Sequence, residues 1–555
     1  MRRQKQRGVT LMIGTMSMIF LIPLIGLGID VGFLFAVKSK LQAAVDGGAL
    51  AAARALSIGA TTASQQASAQ AHASNWFSAN FPSGYFGTHT TAMATNNPNC
   101  SGTVVACVYN DPGNANLQHV AFTATTQVDT FFMKWFGYNY TVVGASSDAT
   151  RRDVVAMMVL DRSGSMNQSS ACPNLISAAK IFTGQFAAGR DYIGAVSFSD
   201  GTFLHSAPTT NFQTVLGYSN DAGTASGQLD TIQCNGGTGT PEAIAIAYDQ
   251  LAKTNLPGAL NMIMFETDGL PNTMVFNWWD SANNVAGLAN TSGCKDANAK
   301  TIAGGGFNSI GALPNWTNGH TMSSTAYNNV PKGIVASMYS YDPWQGFGFY
   351  LAFNPWQAGV NTANNSIYLG ASSPGCQWQG GSLTTNITDL AWTPLQDVYG
   401  NQMNPATNPF QGSVTTVNGA GSTKYLSLAG STQTQWTNYH KGVLNATDNA
   451  AYQVRTNNNL PAYVFGIGLG GNCTPSCTAA NRTGDPPDYI LMQRMANDPN
   501  ADLYNTPPNY SSCSSEPTCV TYGGQPQGTF IFSYNKQQLV QAFLSISSQV
   551  LRLSH

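Results

Sequence analysis

The rhythm of hydrophobic and polar positions divides this chain into stretches of different kind. "VTLMIGTMSMIFLIPLIGLGI", Val9 to Ile29, is apolar throughout and carries no charge. At about 20 residues, it can cross a bilayer as a helix. "DVGFLFAVKSKLQAAVDGGALAAARAL", Asp30 to Leu56, is alanine-rich and free of proline, so the same helix is predicted to continue as a stalk, weakened only at Gly47 and Gly48. From Asn75 to about Thr150 the period drops to two, as in "HVAFTATTQVDTFF" and "YTVVGA", with Asn, Pro and Gly turns between, which predicts a small β-rich module. The aromatics of Val128 to Thr150 are either a surface patch or the interior of that module, and a small module needs them as core.

From Asp153 apolar strands alternate with helical segments, the pattern of a parallel sheet covered on both faces. "DVVAMMVLD" reads as a buried strand, and "NLISAAKIFTGQF" as a helix with Leu175, Ala179, Phe182 and Phe186 on one face. "YIGAVSFSDGTFLHS" reads as a hairpin turning at Asp200-Gly201, "TPEAIAIAYDQLA" as a helix with Thr240 as N-cap and Pro241 at its first position, and "NMIMFETDG" as a second buried strand. The alternation resumes with "NAAYQVRTNNN", "AYVFGIGLG", "PDYILMQRMA" and "GTFIFS", and closes on a helix from Asn535 with Leu539, Phe543, Ile546 and Val550 in one stripe. Between Met274 and about Asn445 the chain is rich in Asn, Gly and Trp and has no helical period. Segments such as "WQGFGFYLAFNPW" require burial, so an inserted irregular or β-rich subdomain is expected rather than disorder.

The expected division is a tail at 1–8, a transmembrane helix at 9–36, a helical stalk at 37–74, the β-rich module at 75–150, a sheet domain at 151–275 and 446–555, and the insertion at 276–445. The 555 residues exceed one ordinary core, which agrees with several units.

Composition adds a compartment. Charged residues make up only 9% of the chain and the net charge is -2, which gives no field for drawing in nucleic acid. The ten cysteines include the close pairs Cys100/Cys107, Cys473/Cys477 and Cys513/Cys519, without histidines at zinc spacing. Disulfides are therefore expected, and with them an oxidising compartment. Cys172 and Cys234 are a further candidate pair, flanking two loops discussed below; pairing elsewhere is equally open. Arg2, Arg3, Lys5 and Arg7 favour a cytoplasmic amino terminus and an outward-facing remainder. A cleavable signal has an apolar core of about 7–15 residues; the longer run here reads as an uncleaved, single-pass anchor.

In a parallel sheet the carboxyl ends of the strands share one edge, where loops converge. Asp161, Ser163 and Ser165 follow the first strand, Asp268 ends "NMIMFETD", and "NGGTGTPEA" supplies Thr238 and Thr240 just before a helix. Oxygen donors without His or Cys suit a hard cation such as Mg2+, with Mn2+ or Ca2+ as substitutes. Thr238 is preferred to Thr240 because Thr240 is used as the cap. Glu266 is a candidate for supporting the site from behind. No GxSxG, HExxH or histidine accompanies these loops except the isolated His205 on the hairpin, read as a structural surface residue. A metal-assisted hydrolase is therefore disfavoured, and no enzyme is expected.

Two resemblances follow. The span and "GIDVGFLFAVKSKLQAAVDGGALAAARAL", with Asp30, Leu41-Gln42, Asp46 and the alanine run, resemble the TadG-like amino-terminal region of Flp/Tad pilus-assembly proteins, as does Val128 to Thr150. Related pseudopilins carry a glutamate shortly after their processing glycine, whereas the fifth residue after Gly8 is Ile13. Asp161, Ser163, Ser165, Thr238 and Asp268 occupy the DxSxS, Thr and Asp positions of a metal-ion-dependent adhesion site, so the sheet domain resembles a von Willebrand factor A domain with a doubly wound, mostly parallel sheet. The resemblance implies Ser163 and Ser165 on the metal, Asp161 and Asp268 acting largely through water, Thr238 alternating between the two, and an open position for a partner's carboxylate. Together they imply a protein of the bacterial inner membrane, its bulk periplasmic or extracellular. Its expected role is in a Flp/Tad pilus or adhesion apparatus, binding an exposed Asp or Glu of another pilus component or surface ligand. The alternative is a purely structural subunit. The insertion leaves directly after "TDGLPN" and is expected at the metal edge.

Overall fold

Two compact units make up the protein, one reaching from the amino terminus to Asp153 and joined by Pro257–Ala259 and Leu551–His555, the other formed by the remainder. The computed structural model describes residues 6–56, 62–168, 170–199, 202–221, 223–234, 237–277, 395–397, 399–406, 409–418, 424–427, 432–470, 487–499, 524–533 and 535–554, and strand segments at 288–290, 335–340, 347–351 and 377–378.

In the first unit, α1 (Gln6–Ala55) is one helix of 50 residues and α2 (Thr62–Asn80) packs beside it. Four antiparallel strands follow: β1 (Thr88–Met93), β2 (Ala106–Asn110), β3 (Leu117–Asp129) and β4 (Tyr140–Arg152). β4 pairs with β3 along its whole length, Leu117 opposite Arg152 and Asp129 opposite Tyr140, while β1 and β2 share the other edge of β3. The inward side of β3 presents Val120, Phe122, Ala124 and Val128 to Val37, Leu41, Ala44, Val45 and Ala49 of α1 and to Phe77 of α2.

The structure thus differs from the expected stalk and separate module, because helix and sheet share one core. An alanine-rich face forms a helix readily but offers little apolar area of its own, and its small side chains let a sheet approach closely. Gly48 illustrates this: a Cβ there would lie 2.7 Å from the Phe122 ring, and one at Gly47 would lie 2.2 Å from Trp76 Nε1. The two glycines that lower helix propensity are contact points. A second difference concerns the aromatics after β3: Phe131, Trp135, Phe136, Tyr138 and Tyr140 are exposed, not core.

In the second unit the strands include β5 (Val154–Asp161), β6 (Tyr192–Phe198), β7 (Thr202–Thr209), β8 (Leu260–Thr267), then β9 (Thr273–Asn277), β10 (Val335–Ser340) and β11 (Phe347–Leu351), and later β12 (Tyr463–Leu469) and β13 (Phe530–Ser533). The main sheet has the order β13-β12-β8-β5-β6-β7, parallel except for β7. Every residue of β5 and β8 is buried, as expected of central strands covered on both faces. Its helices include α3 (Gly164–Gln168), α4 (Cys172–Thr183), α5 (Thr240–Thr254), α6 (Thr432–Thr456), α7 (Tyr489–Ala496) and α8 (Lys536–Leu553). α5 lies along β5 to β8, and α4 meets α8 through Phe182 and Phe543, whose rings are edge-on at 6.0 Å. The stripe of Leu539, Phe543, Ile546 and Val550 on α8 is fully buried.

β9, at the start of the expected insertion, forms a small antiparallel sheet with β10 and β11 from its middle, and most of the insertion lies outside the described residues. α6 starts at Thr432, inside the segment expected to be insertion, and Tyr439, Val443, Ala446 and Ala450 on it are buried at helical spacing.

His119 on β3 bridges two carboxylates, Nδ1 to Asp148 Oδ1 at 2.9 Å and Nε2 to Asp111 Oδ2 at 3.2 Å. Partial burial lowers its pKa, but the hydrogen bonds to Asp148 and Asp111 win and hold it above the ordinary 6.5. Asp111 is held low by the Gly113 N–H first and His119 second. The histidine's contribution is therefore complete below its unfolded value and is lost as pH rises through the folded one. An NMR titration of the full chain, with His119→Gln to assign the signal, should place His119 above 6.5; a value at or below that would refute the bridge.

Candidate functional site

β5 ends on Asp161, and the chain turns at once through Ser163 into the short helix α3, which carries Ser165 in its first turn. The turn is set by Asp161 itself: its Oδ1 accepts from Ser163 N at 2.7 Å, the local hydrogen bond by which an aspartate redirects the backbone after it. Its Oδ2 accepts from Thr267 Oγ1 at 2.5 Å, on the neighbouring strand β8. The carboxylate is fully buried and aimed by contacts on both sides.

From there polar atoms run in a chain. Ser163 Oγ lies 2.8 Å from Ser165 Oγ, and Ser165 Oγ donates to Asp268 Oδ1 at 2.5 Å. The structure therefore brings Asp161, Ser163, Ser165 and Asp268 together where the two central strands end. Thr238 joins through its backbone: its N–H donates to Asn272 Oδ1 at 2.7 Å, and its carbonyl accepts from Asn272 N at 3.0 Å and Thr273 N at 3.2 Å. Asn272 thus clips the Thr238 loop to the loop that follows Asp268.

Thr240 differs from its expected role. The N-cap of α5 is Gly239, which makes no side-chain cap and whose N–H donates to Ser199 O at 2.7 Å; Thr240 is already helical. Its Oγ1 is buried with no hydrogen-bond partner among the described residues. Capping therefore gives no reason to prefer Thr238, and Thr240 brings a hydroxyl whose need for a partner is unmet.

Glu266 is wholly buried, with Oε2 accepting weakly from Asp161 N at 3.4 Å and Oε1 unpaired among the described residues. Burial, then the charges of Asp161 and Asp268, push its carboxyl well above the usual range. Burial likewise raises Asp161, against the hydrogen bonds from Thr267 and Ser163. Buried acids this close must take up protons or share a cation. Among the described residues no group of three or more His, Cys, Asp or Glu is placed to hold a metal. A cation here would have to lean on hydroxyls. The donors brought together, two serines backed by carboxylates, fit a hard divalent ion.

Thr267 and Asn272 were not singled out in the sequence. Their signals are a threonine directly before the strand-end aspartate and an asparagine in the "GLPN" turn. His205 is not a surface residue: it is buried, Nε2 lies 2.7 Å from Ser197 Oγ, and burial followed by the Arg162 charge pushes its pKa down to about 3. Its expected structural role stands, but with a neutral ring inside the hairpin.

Residues 156–270 match the family model for the von Willebrand factor type A domain. The sheet unit is a von Willebrand factor type A domain. Residues 8–55 match the model for Flp pilus-assembly TadE/G-like proteins. No curated protein matches the chain. Among solved structures, three N-terminal domains of the type V pili tip protein Mfa5 from Porphyromonas gingivalis align at 18% identity over 36% of this chain and 30% of that one, with a TM-score of 0.19. The pilus adhesin SpaC from Lactobacillus rhamnosus GG aligns at 9% identity over 82% and 37%, with a TM-score of 0.30. This chain thus spans about a third of the length of those two. The isolated vWF domain of Mfa5 aligns at 12% identity over 73% and 98%, with a TM-score of 0.31.

Two disulfides are formed among the described residues, Cys100–Cys107 and Cys172–Cys234, while Cys473, Cys477, Cys513 and Cys519 lie outside them. Cys172–Cys234 ties the start of α4 to the segment leading into Thr238 and closes a loop with a sequence separation of 62. By chain entropy that loop stabilises the von Willebrand factor A domain by about 4 kcal/mol. Cys172→Ala/Cys234→Ala should lower its denaturant-unfolding free energy by about that amount; a loss under about 1 kcal/mol would show that the bond does not constrain the unfolded chain.

Proposed function

We propose that this is a membrane-anchored, outward-facing component of a Flp pilus or its adhesion apparatus, which binds a carboxylate-bearing protein partner through a divalent cation. The observation that carries the reading is the Ser163, Ser165 and Asp268 chain of hydroxyls and carboxylate at the strand ends of a von Willebrand factor A domain. The TadE/G-like match at 8–55 supports the pilus context, and the length and hydropathy of α1 support the anchor.

Ser163 and Ser165 would hold the ion directly, Asp161 and Asp268 would orient and balance it from behind, and Thr238 or Thr240 would complete the ring. When bound, Mg2+ or Mn2+ supplies a Lewis-acidic centre. Neutral hydroxyl ligands quench little of its charge, so an acidic side chain from a partner is attracted strongly. Asp161 is held by Ser163 N and Thr267 Oγ1, which keeps the nearest charge fixed.

Calorimetry of the full chain in nanodiscs should show saturable Mn2+ binding that Asp268→Ala removes. Asn272→Ala, acting through the Thr238 loop, should weaken it by about 10- to 100-fold, the usual cost of losing a supporting contact. An immobilised Asp-containing peptide should retain the loaded chain, and its Asn counterpart should not. Metal binding without any carboxylate preference would leave a structural subunit as the better reading. No metal binding by a folded chain would refute the proposal.

A further inference from the structure

Asp30 lies one residue beyond the apolar run that ends at Ile29, yet it is only 1% exposed. Its carboxylate accepts from three consecutive backbone N–H groups, those of Phe131 at 2.8 Å, Phe132 at 2.9 Å and Met133 at 2.7 Å. These residues open the connection between β3 and β4 and lead into a short 3-10 turn, Met133–Phe136. The loop is closed at its base, where Thr130 N donates to Asn139 O at 3.2 Å and Thr130 Oγ1 donates to Tyr138 O. One aspartate thus collects donors that the start of a helical turn leaves unpaired, and fastens the hairpin tip to α1 where its apolar run ends.

Below that clasp the tip reaches further down. Gly26 is buried against Phe132, so closely that a Cβ there would lie 2.4 Å from the ring. Gly26 precedes Asp30 by four residues, about 6 Å along the helix axis, and its neighbours Leu24, Ile25 and Leu27 are exposed apolar residues of the span. Above the clasp, Phe33 meets the edges of Phe131 at 5.3 Å and Phe86 at 5.7 Å. Phe86 is itself exposed and holds a φ of +48°, a conformation that costs a bulky residue on the order of 1 kcal/mol or more.

The side chains left outward at this level are Phe131, Trp135, Phe136, Tyr138, Tyr140 and Val142, with Trp135 79% exposed. A contiguous apolar patch of this kind is costly in water. Trp and Tyr are the residues enriched where bilayer meets water, and the neighbouring Lys134 can extend its ammonium toward headgroups.

We propose that the hairpin tip, residues 131–142 with Phe86, is a second membrane contact that sits in the headgroup and acyl boundary of the leaflet from which α1 emerges. Its occupant is lipid, because the patch is continuous with the apolar surface of the span and lies at its exit. The inference rests on the reading of α1 as a membrane anchor. With two contacts instead of one, the first unit cannot swivel freely about its helix, and the β-sheet is held at a fixed height above the bilayer.

The full chain is reconstituted into phosphatidylethanolamine and phosphatidylglycerol vesicles containing lipids brominated near the headgroup end of their chains. Flotation of the vesicles at alkaline pH reads the anchor separately. Tryptophan emission should be quenched by the bromolipid, and Trp135→Ala should remove that quenching. Trp76→Ala, on α2 against Gly47 and far up the helix, should leave it unchanged. A chain that floats while Trp135→Ala leaves the quenching intact, or while no quenching occurs, overturns the proposal and spares the anchor. Trp135 shielded from both bromolipid and aqueous acrylamide would mean a protein covers the patch, and also overturns it. A chain that does not float overturns both.

Discussion

A strand buried on both faces can place polar groups only at its ends, and that constraint organises the von Willebrand factor A domain. β5 and β8 are buried at every position, so Asp161, Glu266, Thr267 and Asp268 crowd onto one edge with the serines of α3. The sheet gains its stability from the apolar run and concentrates the cost at the edge. Burial raises the proton affinity of Asp161 and Glu266, the charges of Asp161 and Asp268 raise Glu266 further, and hydroxyls and backbone N–H groups are the neutral partners at hand. The proposed cation site would draw on this same concentration of hydroxyls and carboxylates.

Much of this was legible in the sequence because burial leaves a plain trace. "VVAMMVLD" and "NMIMFETD" carry short apolar runs that end in aspartate within an alternation of strand and helix, and the alternating Asp161, Ser163 and Ser165 stand out after the first. What was not legible depended on contacts distant in sequence. Thr240 looked like a helix cap because it precedes Pro241, but Ser199 O takes the Gly239 N–H and moves the helix start by one residue. Asn272 supports the Thr238 loop across 34 residues, and nothing local distinguishes it from an ordinary turn asparagine. The early start of α6 was hidden by its polar face, although Tyr439, Val443 and Ala446 carried the period.

The first unit shows the same limit from the other side. Its helix was readable, but the meaning of Gly47, Gly48 and the aromatics after β3 was not. Glycine lowers helix propensity wherever it stands, and only the position of Phe122 and Trp76 shows why it is needed here. Aromatic residues serve equally in a core and at a bilayer surface, so composition alone favoured burial. The clasp between Asp30 and the β3–β4 loop decides otherwise, because it places those rings beside the end of the span.

The central claim is that the strand-end hydroxyls bind a cation. Its most direct test is anomalous diffraction from crystals of the chain soaked in Mn2+. A peak within about 2.0–2.3 Å of both Ser163 Oγ and Ser165 Oγ is expected, at distances typical of hard cations, with the 2.8 Å hydroxyl contact opened to admit it. A saturated soak with no peak at that edge, and the Ser165 to Asp268 hydrogen bond still in place, would contradict it.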